Sequence, residues 1–181
     1  MAAERLVPGN LESAQPAVEG SPIHVRVAVR TDIPQIASLV ENKRTEYRQY
    51  HSRFWREATD ARGKLVPAME NLLHDNRAIV LVNVQDSNVN GVIIGTLQQP
   101  PAVYDPGGLT CVVDDFFVGA PTLWNSVGMA LLYTMAREAK RRGAVQVAIT
   151  CARKDMRKRS MLVAHKYDVT AEWFVRDLSV G

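Results

Sequence analysis

The chain lacks most of the features that would assign it to a specialised class. It has two cysteines, Cys111 and Cys151. Their number and spacing support neither a disulfide framework nor a metal site, and both are read as buried, reduced thiols within strands. Net charge is only +3, too small to argue for nucleic-acid binding, and no helix-turn-helix, zinc pattern or aromatic stacking series accompanies it. No apolar run approaches transmembrane length. Residues 1–21 carry Glu4, Glu12 and Glu19 among Pro and Gly without a continuous apolar stretch, so they are not a secretory signal. Neither G-x-G-x-x-G nor G-x-x-x-x-G-K-[ST] occurs, which removes the usual dinucleotide and P-loop arguments. These absences lead to the expectation of a cytoplasmic protein without a metal, in which a flexible extension (residues 1–22) precedes one domain (residues 23–181). A length of 181 residues is enough for a single substantial core.

What is present is periodicity. Ile23, Val25, Val27 and Val29 alternate with polar or small residues and read as a first strand. Thr31-Asp32 with Pro34 opens a helix through Ile36, Leu39 and Val40. The polar, aromatic-rich segment from Glu46 to Trp55 reads as a connection to a second helix over about 60–73, which Pro67 should kink or delay. Residues 78–84 form a buried strand, 86–91 a turn and 92–97 its antiparallel partner. A Pro/Gly-rich loop over 100–108 leads to a strand at 109–118, then a helix over 123–142 with Val127, Leu131 and Met135 on one side and Gly143 as its stop. An alternating strand at 145–151, a short helix over 155–165 and a closing strand over 169–178 complete the chain.

The most informative stretch is residues 112–142. A strand (Val-Val-Asp-Asp-Phe-Phe-Val) meets a small-residue break at Gly119-Ala-Pro and feeds a helix carrying Ser-Val-Gly-Met-Ala-Leu-Leu. The first amides of such a helix have no intrahelical acceptor and its dipole favours negative charge, so the turn suits an anion such as a pyrophosphate. Gly128 and Ala130 leave room for close approach. This stretch resembles the GCN5-related N-acetyltransferase (GNAT) family, whose pattern Arg/Gln-x-x-Gly-x-Gly/Ala follows a strand Val by ten residues and precedes Leu-Leu. Val118, Gly128 and Leu131-Leu132 stand in that register. Ser126 replaces the first Gly and Leu123 the Arg/Gln. The order β-α-α-β-β-β-α-β-α-β over about 23–178 agrees with the same family. So does the shape of His165-Lys166-Tyr167-Asp168 before the closing strand, with Tyr167 at the usual Phe place. Leu162 stands where the family has a Tyr, and Asp155 where it often has an Asn.

The resemblance implies an α/β (α+β) fold: one GNAT-like domain with a mixed, mostly antiparallel twisted sheet of six to seven strands, flanked by about four helices. It implies acetyl-CoA as cosubstrate, bound by Phe117, Val118, Ser126, Val127, Gly128, Met129, Ala130 and Arg159. Part of the basic run Arg153, Lys154, Arg157, Lys158 and Arg159 would meet the adenosine end, a solvated helix face being the competing explanation. The implied reaction is acetyl transfer to a primary amine by direct attack. Asp115 is the first candidate base and Asp114 the second, since strand alternation sends them to opposite faces. An aspartate paired with a basic neighbour is the structural alternative. The oxyanion donor is a backbone amide near Phe117 or Val118, and no general acid is assigned, because Leu162 cannot donate a proton and Tyr167 reads as core. The acceptor side draws on Glu46, Tyr47, His51, Phe54, Trp55 and Tyr104, whose aromatics otherwise cap the core. The acceptor is a small molecule or a protein amine, membranes and nucleic acid are not expected partners, and a homodimer is left open. The rival reading is a catalytically impaired domain of this fold that serves as an acyl-CoA sensor or scaffold; a basic nucleic-acid-binding protein ranks last.

Overall fold

The computed structural model describes residues 23–178, and the expected N-terminal extension lies outside them. Its strands are β1 (Val25–Val27), β2 (Ala78–Gln85), β3 (Asn88–Gln98), β4 (Leu109–Val118) and β5 (Ala144–Ile149). Its helices are α1 (Ile33–Tyr50), α2 (Ala61–His74), α3 (Val127–Arg141) and α4 (Met156–Ala164). The strands form one sheet in the order β1-β2-β3-β4-β5. Every neighbouring pair is antiparallel except β4 and β5, which are parallel. No helix among the described residues is long and apolar enough to cross a membrane.

Each face of the sheet carries its own core. Val127, Leu131 and Met135 of α3, together with Met161 and Leu162 of α4, pack on Ile93, Cys111, Val113, Phe116 and Val118. The face expected for α3 is therefore the one it buries. On the other side, Ile36, Val40 and Tyr47 of α1 and Leu65 and Met69 of α2 cover Val82, Val92, Ile94 and Phe117. Burial at 36, 40, 43 and 47 keeps the helical spacing, which explains why α1 runs on to Tyr50 through the first part of the expected connection. Asp60 caps α2 through the Gly63 amide at 3.1 Å, and Pro67 lies inside the helix without delaying its start.

β4 contains the one irregularity that matters most. Ile94 pairs with Asp115 while Gly95 pairs with Val113, so Asp114 is an extra residue in the strand. A bulge of this kind resets side-chain alternation. Cys111 and Val113 share a face with Phe116 and Val118, while Asp115 falls in step with Phe117 on the α1 side.

The sheet has five strands among the described residues, fewer than the six to seven expected. Residues 169–178 are not a strand. After α4, Lys166 adopts a left-handed conformation (φ 63°) and the Tyr167 amide bonds the Leu162 carbonyl at 3.1 Å. The chain then passes along the α1–α2 connection, where Trp173 meets Phe54 at 6.1 Å and Asp177 meets Arg53 at 3.1 Å. Alternating apolar residues make a strand only where a neighbouring strand accepts the ladder, and this segment does not run beside β5.

Leu162, at 6% exposure, belongs to the α3–α4 core. Leu162→Ala is expected to cost about 2–5 kcal/mol of stability through the lost side chain and its cavity. Urea unfolding checks it, the midpoint falling at an unchanged slope.

Candidate functional site

The two parallel strands part company early. Their register ends at Val113–Ile149, with the Thr150 amide bonding the Val113 carbonyl at 2.9 Å. β4 continues to Val118 paired on its β3 side only, while the chain after β5 turns through residues 150–155 into α4. A wedge opens between the β4 edge and α4. The Gly119 amide bonds the Asn90 carbonyl of β3 at 2.8 Å. Backbone direction alternates along a strand, so Phe117 also turns its amide to β3, and Phe116 and Val118 turn theirs into the wedge. Of the two expected oxyanion donors, only Val118 has its amide on the open side; Phe117 contributes its ring, 5.9 Å from that of Tyr47.

Asp114 and Asp115 flank the inner end of the wedge. Asp114 is exposed and accepts from the Thr150 hydroxyl at 3.4 Å. Asp115 is half-buried on the α1 face, and desolvation raises its pKa above the ordinary carboxylate value, with Asp114 acting in the same direction and Arg44 and Lys158 opposing. The two carboxylates do point differently. The bulge, rather than simple alternation, is the reason.

The inner end of the wedge is occupied by a side chain that sequence reading placed in a basic surface run. Lys158 is 1% exposed. Its Nζ donates to the Thr150 carbonyl at 2.8 Å and lies 5.4 Å from the Phe116 ring centroid and 5.9 Å from that of Phe117. Those rings stand on opposite faces of β4, so an amine close to both lies near the plane of the sheet, beside the unpaired strand edge. Burial lowers its pKa from the ordinary lysine value. A signal was available: Lys158 stands three and four residues before Met161 and Leu162, on the buried side of α4.

Outside this amine lies a cavity of about 210 Å3 lined by Lys43, Glu46 and Tyr50 of α1, Pro121 and Trp124 of the turn after β4, and Asp155 to Arg157 at the start of α4. Lys43 holds Glu46 at 2.7 Å, and the Tyr50 hydroxyl donates to the same carboxylate at 2.6 Å. Burial raises the Glu46 pKa, but the bonds from Lys43 and Tyr50 outweigh it and the net shift is downward. Beneath them the Tyr47 hydroxyl donates to Asp155 at 3.3 Å, and Asp155 also caps α4 through the Lys158 amide at 3.2 Å. Burial, then the Asp155 charge, pushes the Tyr47 hydroxyl well above its ordinary value, so it stays neutral.

The helix start differs in detail from expectation. Residues 121–125 form a 3-10 turn and α3 begins at Val127, not at 123. The Ser126 amide bonds the Leu123 carbonyl at 3.2 Å and the Ala130 amide the Ser126 carbonyl at 3.0 Å, so neither is free for an anion. The amides of Val127, Gly128 and Met129 stand in the first turn of α3, where no carbonyl of α3 itself can accept from them. A Cβ on Gly128 would meet the Trp124 ring at 2.8 Å. Its small size is thus required by packing of the preceding turn, a need the sequence reading attributed to ligand approach.

The remaining candidates scatter. Trp55 packs on Tyr47 at 5.0 Å, and Phe54 meets Trp55 at 4.7 Å and is partly exposed. The His51 Nδ1 accepts from the Phe54 amide at 3.0 Å and the ring faces solvent. Tyr104 is 70% exposed in the loop before β4, at the opposite end of that strand from the wedge mouth. Tyr104 does not line the cavity beside Glu46 and Tyr50. Arg159 is half-buried beside Asp155, its amide bonding the Asp155 carbonyl at 3.0 Å. Lys43, Trp124 and Lys158 belong to the site and were not among the expected site residues.

No protein-family model matches the chain, and no curated protein matches it. Solved structures do. A transcriptional regulator from Bacillus halodurans C-125 superposes with a TM-score of 0.66 at 13% identity, over 87% of this chain and 100% of that one. A predicted acetyltransferase from Clostridium acetobutylicum, solved with acetyl-CoA, gives a TM-score of 0.65 at 17% identity, over 87% and 97% of the two chains. An aminoglycoside antibiotic 6'-N-acetyltransferase from Acinetobacter baumannii gives 0.66 at 10%, over 88% and 100%. The bulged β4, its early parting from β5 and the helix that follows are set in a chain with the fold of the GNAT acetyltransferases.

Proposed function

We propose that the chain is an acyl-CoA-dependent N-acyltransferase that moves an acetyl group from acetyl-CoA to a primary amine by direct attack. The observation that carries this reading is the wedge: a β4 edge that β5 leaves unpaired and that leads to the first turn of α3. The donor set fits the cosubstrate. The first-turn amides of Val127, Gly128 and Met129 suit a pyrophosphate, the wedge-facing amide of Phe116 suits an extended amide-bearing chain, and Arg157 and Lys154 stand at the cavity rim for further phosphate.

Acetyl-CoA supplies an acyl group activated as a thioester. Asp115 takes the proton of the incoming ammonium, directly or through water, and its raised pKa suits a base better than an ordinary carboxylate would. The Val118 amide donates toward the developing oxyanion, a role that needs no side chain. Leu162 is buried in the core and donates no proton, so water protonates the departing thiolate. On the acceptor side, Glu46 and Tyr50 line the cavity and offer polar groups to the amine; Tyr47 and Trp55 act as packing beneath them.

A second reading, an acyl-CoA sensor or scaffold, is favoured by one observation: the Lys158 side chain already fills the inner end of the wedge, bonded to the Thr150 carbonyl. Binding and turnover separate the two. Acetyl-CoA at a hundred times its dissociation constant is expected to stabilise the chain by roughly 2.7 kcal/mol under either reading. Free-thiol release that depends on an added amine is expected under the enzyme reading alone, and its absence across an amine panel, with stabilisation intact, leaves the sensor.

Asp115→Asn is expected to lower turnover by about two to four orders of magnitude, with Asp114→Asn the milder change. The base works only when ionised, so kcat/KM should climb with pH through the raised Asp115 pKa, and that limb should vanish in Asp115→Asn. A greater loss in Asp114→Asn moves the base to the exposed carboxylate.

A further inference from the structure

We propose that Lys158 is itself an acyl acceptor: the chain transfers the acyl group of a bound acyl-CoA onto its own buried lysine. This rests on the acyltransferase reading above and adds to it a modification site.

The chain has six lysines. Lys64, Lys140, Lys154 and Lys166 are exposed, and the buried Lys43 is held by Glu46 at 2.7 Å. Lys158 alone is buried with a backbone carbonyl, and no carboxylate, as its hydrogen-bond acceptor among the described residues. Taking a charged ammonium out of water without an ion pair is costly, and the group responds by giving up its proton. A neutral amine is a nucleophile. A leucine or methionine would fill the same space without that cost, so the amine is not explained by packing.

Its position supplies the second half of the argument. The Nζ lies beside both Phe116 and Phe117, in line with the open edge of β4 and at the inner end of the wedge. That is where a chain entering past the α3 amides and extending along β4 must end. Lys158 therefore meets the acyl end of the molecule that the wedge is built to admit.

The step balances. The Nζ lone pair forms a C–N bond to the acyl carbonyl carbon and the C–S bond breaks, its electron pair leaving with sulfur. The proton lost by nitrogen ends on that sulfur as free thiol, with the Asp115 carboxylate, whose charge acts on Lys158, as carrier. The product is a neutral amide. Its N–H keeps the bond to the Thr150 carbonyl, and its new carbonyl offers an acceptor to the wedge-facing β4 edge.

The test is residue mapping by mass spectrometry on the full chain, as purified and after incubation with acetyl-CoA, with stabilisation by CoA measured in parallel. The expected result is an acetyl group on Lys158 in most molecules, in at least tenfold excess over the exposed Lys154 and Lys166, and its loss in Lys158→Arg. Stabilisation by CoA with Lys158 unmodified overturns this inference and leaves the acyltransferase reading standing. Acetylation confined to the exposed lysines also overturns it, because burial then protects Lys158 as it would any core group. Failure of CoA to stabilise the chain removes the acyltransferase reading and this inference with it.

Discussion

The separation of β4 from β5 after Val113 and Ile149 is the constraint on which the rest of the molecule depends. Two parallel strands that stay paired to their ends bury both backbones. Here β5 turns away at Thr150 while β4 runs five residues further, so a row of strong donors and acceptors is left to be satisfied by something other than a strand. The bulge at Asp114 stands at the same level. It holds an extra residue against β3, increases the local twist and resets the faces, so that Phe116 and Val118 join the α3 core while Asp115 and Phe117 turn toward α1. Without the bulge, Asp115 would share a face with Val113.

The groups around that wedge form a graded electrostatic set. Glu46 is held ionised by Lys43 and Tyr50; Tyr47 is kept neutral by burial over Asp155; Asp155 divides its carboxylate between the Tyr47 hydroxyl and the α4 cap. Asp115 and Lys158 are shifted in opposite directions by the same desolvation, each toward its neutral form. Desolvation thus favours the uncharged form of each. The far end of the molecule is ordered by more conventional means. Glu138 binds Arg141 and Arg142, and Arg142 reaches the Ala78 carbonyl at 3.0 Å, tying the end of α3 to the start of β2. Multiple guanidinium bonds hold the Glu138 carboxyl down at about 2.

Periodicity and turn chemistry carry local information, and what depends on them was legible in the chain. Alternation located β1 and β5, an apolar run and the turn after it located β2 and β3, the 3.6-residue spacing of Val127, Leu131 and Met135 located α3 and its buried face, Asp60 and Asp155 marked helix starts, and Gly143, with φ +90°, marked a stop. The strand-turn-helix pattern between Val112 and Arg142 was legible as three successive local elements. Tertiary structure decided the rest. Residues 169–178 have a strand's alternation but no neighbour to pair with, because pairing is a property of two segments. A bulge is an offset between β3 and β4 and has no mark on β4 alone, so the facing of Asp114 and Asp115 was set by the partner strand. Gly128 looked like an opening for a ligand until Trp124 filled the space above it. Lys158 looked like one charge in a basic run. Whether a lysine faces water or a sheet edge is fixed by what packs against its helix, and α4 packs with Met161, Leu162 and Lys158 all turned inward.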